Sequence, residues 1–116
     1  MEIYEAVPAL AALAHRGRLD VFRRLVRAGP EGMAAGEIAR VTDSLPNTLS
    51  ANLALLASAG LVTSRRDGRS IIYSAAYDRM RELLGFLVDD CCGGKPEICA
   101  PLGEVARGAC KAEGAC

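Results

Sequence analysis

Tryptophan is absent and aromatic residues make up only 4% of the 116-residue chain, which excludes an interior built on large rings. Hydrophobic residues still reach 51%, so Leu, Val, Ile and Ala must pack the core, a composition that favours helices. No apolar run approaches the roughly 18 uninterrupted residues of a membrane span. The opening Met-Glu-Ile-Tyr-Glu has neither the basic nor the apolar region of a secretion signal, so a cytoplasmic protein without a membrane partner is expected. A charge excess is missing too, because 14 Lys and Arg stand against 14 Asp and Glu. That removes any bulk electrostatic case for nucleic acid, and such a case must rest on arrangement. Up to residue 75 nine arginines face seven acids, and the remainder reverses the imbalance with five basic residues against seven acids. Histidine occurs once, at His15, and reads as a capping or surface residue. Paired carboxylates, a phosphate loop and an activated nucleophile are all missing, so an enzyme is not expected.

What is present has the length of one domain and reads as mostly α with a small β-hairpin. Apolar residues at Ile3, Val7, Leu10 and Ala14 follow helical spacing, with Pro8 expected to end or kink the first turn. Leu19, Phe22, Leu25 and Val26 mark one face of a second helix that Ala28-Gly29-Pro30 stops. A short helix is expected from about Ala34 to Val41. Thr42-Asp43-Ser44 then turns the chain, with Ser44 as N-cap of a helix running through Pro46 to about Ala59, where Gly60 ends it. Two helices joined by a tight turn make a helix-turn-helix candidate. On the wheel of the second, Leu45, Leu49, Leu53 and Leu56 share one side, Asn47, Thr48 and Ala51 lie opposite, and Ser50 and Asn52 flank them. Leu55 fits neither side. Leu61 to Arg66 and Arg69 to Ser74 are β-prone runs around Asp67-Gly68, read as a hairpin in which both turn residues take positive φ. Arg65, Arg66 and Arg69 crowd its tip, as suits a wing on a phosphate backbone. From about Tyr77 to Cys92 the pattern is helical again, and a Gly- and Ala-rich tail follows.

Five cysteines, all beyond residue 90, are an odd number and cannot all pair internally. Cys91 and Cys92 are adjacent and poorly disposed to bridge each other. They stand where the last helical pattern meets Gly93-Gly94, and Cys99 follows across a short Pro-containing loop. Three sulfurs without a histidine suit a soft, thiophilic ion. Cys110 and Cys116 are candidate accessory thiols.

Leu13-Ala14-His15-Arg16-Gly17-Arg18-Leu19, Gly36-Glu37-Ile38-Ala39, the run from Asn52 to Val62 and Arg66-Asp67-Gly68-Arg69-Ser70-Ile71-Ile72-Tyr73 together resemble the metal-sensing ArsR/SmtB repressor family. The resemblance covers about residues 8 to 92 and implies a dimeric winged helix-turn-helix. Residues 1–92 would form the DNA-binding and dimerisation domain, with 93–116 completing an inducer site. It further implies a homodimer joined by first and last helices that holds operator DNA until its inducer binds. Asn47, Thr48, Ser50 and Asn52 would then lie on the recognition helix, and Arg65, Arg66 and Arg69 on the wing. Many members carry histidine where this chain has Asn52. The arsenic-binding Cys-x-Cys of the founding members is absent between Arg40 and Leu49, and so are the Asp and His zinc ligands of the last helix. Cys91, Cys92 and Cys99 instead resemble the carboxy-terminal site of a subgroup that senses As(III).

Trivalent arsenic or antimony takes three thiolates in a pyramid, whereas structural zinc prefers four ligands. Cys91 and Cys92, at a helix C-terminus beside Asp89 and Asp90, are expected to rest protonated until a thiophilic ion displaces the protons. Hence the expected function: a repressor released from its operator by As(III) or Sb(III), with no organic cofactor. The rival readings are a thiol-based redox sensor on the same scaffold, a Cd, Pb or Zn sensor, and a winged helix that binds protein instead of DNA.

Overall fold

The structure, a computed structural model, describes residues 1–88. Its elements run α1 (Ile3–Leu13), α2 (Arg16–Ala28), β1 (Met33–Ala34), α3 (Ala35–Thr42), α4 (Pro46–Ser58), β2 (Val62–Asp67), β3 (Ser70–Ala75) and α5 (Tyr77–Val88). Met1–Leu83 form one compact unit, and α5 from Leu84 onward falls in a second. The tail 93–116, and with it Cys91, Cys92, Cys99, Cys110 and Cys116, lies outside the described residues. No helix among the described residues is long and apolar enough to cross a membrane.

α1 departs from expectation in two ways. The helix runs through Pro8 without a break, although proline cannot donate the backbone bond its position calls for. Its buried stripe is Ala6, Ala9 and Ala12, while Ile3, Tyr4, Val7 and Leu10 face outward at 67%, 73%, 58% and 40% exposure. Small side chains let α1 sit close to α2 and α4, so the alanines fill the inner face and leave the large residues without cover. α2 is preceded by His15 as N-cap, whose Nδ1 accepts from the Gly17 and Arg18 backbone N–H groups at 3.1 and 3.4 Å, and His15 is both the capping and the surface residue read from the sequence. Its inner face is Val21, Phe22 and Leu25, and Leu19 is exposed.

The short helix starts one residue later than expected, because Met33–Ala34 form a strand that pairs with Tyr73 and Ile72 of β3. The sheet is therefore three-stranded and antiparallel in the order β1-β3-β2, not a hairpin alone. A two-residue strand has no periodicity to read. α3 ends at Asp43 in the left-handed region, φ 51°. Ser44 does not cap α4, because its hydroxyl pairs with that of Thr42 at 2.7 Å and Leu45 takes the N-cap place. α4 buries Leu49, Leu53 and Leu56, and it closes with Gly60 N–H donating to Ala57 and Leu61 N–H donating to Leu56. These two bonds satisfy carbonyls that a helix end leaves orphaned. Leu25, Ile38, Leu56 and Leu61 are fully buried, each contributing about 1.5–3 kcal/mol.

The hairpin pairs Asp67 with Ser70, which leaves Gly68 and Arg69 as the turn. Only Gly68 has positive φ, at 64°, and Arg69 does not. A turn with glycine first and a single positive φ is the type II′ pattern, so the expectation of two positive-φ residues at Asp67-Gly68 is corrected by one position.

Candidate nucleic-acid interface

α3, the turn at Asp43–Ser44 and α4 place the start of α4 at the surface. Asn47, Thr48 and Ser50 are exposed, with Ala51 and Ala54 beside them. Leu45 offers no side-chain cap and Pro46 opens the helix, so the first-turn amides are open to an acceptor from outside, where the positive end of the helix dipole favours an anion. The exposed groups are an amide and two hydroxyls, able both to donate and to accept along base edges.

Asn52 is not part of this surface. It is 7% exposed and lies between α4 and α2, close enough that a Cβ at Gly17 would come within 3.2 Å of its Nδ2. The wheel held the signal, since Asn52 stands only about 40° from Leu56. Leu45, placed with the core by sequence, is instead 74% exposed at the head of the helix, because an N-cap residue leaves the helical path. Leu55 finds its place outside that scheme: it lines, with Pro8, Ala11 and Ser58, a cleft of ≈ 320 Å³ on the surface.

The wing arginines divide. Arg65 Nη2 donates to the Glu31 backbone carbonyl at 2.7 Å. Arg66 and Arg69 are exposed and have no ion pair among the described residues, whereas Arg24, Arg40, Arg79 and Arg81 meet carboxylates on their own or neighbouring helices. Arg66 and Arg69 thus meet no carboxylate among the described residues, as also holds for Arg16, Arg23 and Arg27 on α2, and the hairpin carries exposed positive charge although net charge is zero. Behind this surface, Arg79 of α5 reaches Glu5 of α1 at 3.0 Å, and the Tyr77 hydroxyl donates to the Val26 carbonyl at 2.9 Å. Burial raises the Tyr77 pKa. Among the described residues no three His, Cys, Asp or Glu converge as a metal site.

The family described as Helix-turn-helix domain matches residues 13–65. The chain is 31% identical over 88 residues to the HTH-type transcriptional regulator YgaV of Escherichia coli (strain K12), a match spanning 76% of this chain and 87% of that protein. It is 36% identical over 80 residues to nodulation protein NolR of Rhizobium meliloti, spanning 69% of this chain and 63% of NolR, under two thirds of that relative's length. Among solved structures it resembles the homodimeric winged helix-turn-helix DNA-binding domain Mb0332 of Mycobacterium bovis, described as a possible ArsR-family transcriptional regulator. The identity is 33%, the TM-score 0.61, and the coverage 76% of this chain and 82% of that one.

Proposed function

The chain belongs to the ArsR family of winged helix-turn-helix transcriptional regulators, and we propose from that premise that it is a homodimeric repressor which trivalent arsenic or antimony releases from operator DNA. It is a regulator and not an enzyme. The observation that carries DNA engagement is the pairing of an uncharged hydrogen-bonding face on α4, formed by Asn47, Thr48 and Ser50, with the exposed Arg66 and Arg69 on the hairpin, which meet no carboxylate among the described residues. The first supplies contacts that distinguish bases, and the second supplies salt-sensitive affinity for the backbone.

A second copy of the chain is supported by the outward face of α1, where Ile3, Tyr4, Val7 and Leu10 lie exposed at helical spacing. A row of large apolar side chains in water favours burial against a partner. The exposed Leu84, Leu87 and Val88 give the end of α5 the same character.

The inducer assignment rests on the thiols. Cys91, Cys92 and Cys99 supply three sulfurs without nitrogen, the donor set that suits a pyramidal metalloid. Capture of the ion next to the end of α5 would bias the dimer toward a spacing of α4 helices that no longer fits two half-sites one DNA turn apart. A preference of roughly 2.7 kcal/mol for that state lowers operator affinity a hundredfold.

The test is an anisotropy titration with arsenite under fully reducing conditions, using a duplex recovered by in vitro selection on the wild-type protein. Wild type should release the duplex, and Cys91→Ser combined with Cys92→Ser should retain it. Release that persists unchanged in the double variant defeats the site. Release by diamide alone, reversed by dithiothreitol, points to a redox switch instead.

A further inference from the structure

Successive side chains of a strand point to opposite faces, so Arg65 and Arg66 leave β2 on different sides. Arg65 stands across from Ile72 of β3 and donates to the Glu31 carbonyl, in the loop between α2 and β1. A second stitch holds the same loop, since Ser74 Oγ of β3 donates to the Pro30 carbonyl at 3.2 Å. Between these points Gly32, at φ 75°, approaches β3 so closely that a Cβ would meet the Tyr73 carbonyl oxygen, Ser74 Oγ and the Ile72 side chain. The loop is thus pressed against β3, where it runs into β1, and is clasped by Arg65 from the face that Ile72 and Ser74 share. On the other face and at the turn, Arg66 and Arg69 have no ion pair among the described residues.

We infer that Arg65 is a positioning residue, fixing the attitude of the wing through the Glu31 carbonyl, and that the wing's phosphate contacts fall to Arg66 and Arg69. This rests on the DNA-binding reading above. A two-stranded ribbon is marginally stable by itself, so what holds its base decides how its tip is presented. Without the clasp the wing must be ordered at each binding event, which lowers affinity. The cations lying on phosphate in the complex stay the same in number, so the salt dependence does not change.

The two roles separate in the slope of log affinity against log salt, measured by anisotropy on the selected duplex, with melting temperatures confirming that each variant folds. Arg66→Ala and Arg69→Ala should each flatten the slope by about 0.9 per protomer. Arg65→Ala, and Ser74→Ala with no charge removed, should weaken binding about fivefold at the wild-type slope. Arg65→Lys, which can still donate to Glu31, should recover most of the loss. If Arg65→Ala flattens the slope as much as Arg66→Ala does, Arg65 touches phosphate and the inference fails. Unchanged affinity in both Arg65→Ala and Ser74→Ala also overturns it. Absence of salt-dependent duplex binding by the wild type would instead remove the DNA-binding reading itself.

Discussion

Asn47 and Asn52 stand about 140° apart on α4, and that angle gives one amide to solvent and the other to the contact with α2. Asn47→Ala should therefore lower affinity for the selected duplex by about 1–2 kcal/mol and relax its sequence preference, while leaving the urea midpoint within error. Asn52→Ala should do the reverse, lowering stability by about 1 kcal/mol with the base preference kept. Parallel selection and denaturation measurements on the two variants check this. Glu5 offers a second case. The Glu2 backbone N–H donates to its Oε1 at 3.1 Å and Arg79 to its Oε2 at 3.0 Å, and in that order they hold the carboxyl below its ordinary value of 4.5. The ionised form is the one favoured by folding, so its contribution is present above pH 4.5 and disappears as pH falls through the lowered value. Glu5→Gln should accordingly lose stability at neutral pH and show a shallower acid decline below pH 4.5 in urea midpoints. The exposed face at Asn47 and Thr48 was legible because helical spacing alone sorts it. The partner that buries Asn52 was not, because Gly17 is far away in sequence.

Among the elements, α1 carries the clearest conflict between local preference and fold. Pro8 deletes one backbone bond in the interior of an 11-residue helix, and its ring is exposed. Pro8→Ala should raise stability by about 1–3 kcal/mol, read as a shift in the urea midpoint at unchanged slope. No gain would mean that the helix has already relaxed around the ring. The sheet teaches a related lesson. Both long strands and the turn between them could be read from β-prone runs around a glycine, yet the turn lay one residue further on. Register depends on which residues pair across the strands, and Asp67 pairs with Ser70. β1 was invisible in the sequence because two residues become a strand only when β3 lies beside them.

For the molecule as a whole, the outward row Ile3, Tyr4, Val7 and Leu10 sets the expectation for assembly. Val7→Glu places a charge in the middle of that row and should yield a folded monomer by sedimentation and circular dichroism. Operator affinity should fall by at least about a hundredfold, since one recognition helix cannot span two half-sites. A dimer that persists in this variant would place the interface elsewhere. The sequence by itself determined the helical class, the helix-turn-helix, the hairpin with its arginines and the clustering of thiols beyond residue 90. Each of these follows from periodicity, turn chemistry or spacing among near neighbours. Only the tertiary structure decided which stripe of α1 faces inward, that Asn52 packs beside Gly17 of α2, and that Arg65 is spent on the Glu31 carbonyl while Arg66 and Arg69 meet no carboxylate among the described residues. Those outcomes depend on which distant segments come to lie against each other, and a helix wheel or strand pattern carries no information about its neighbour.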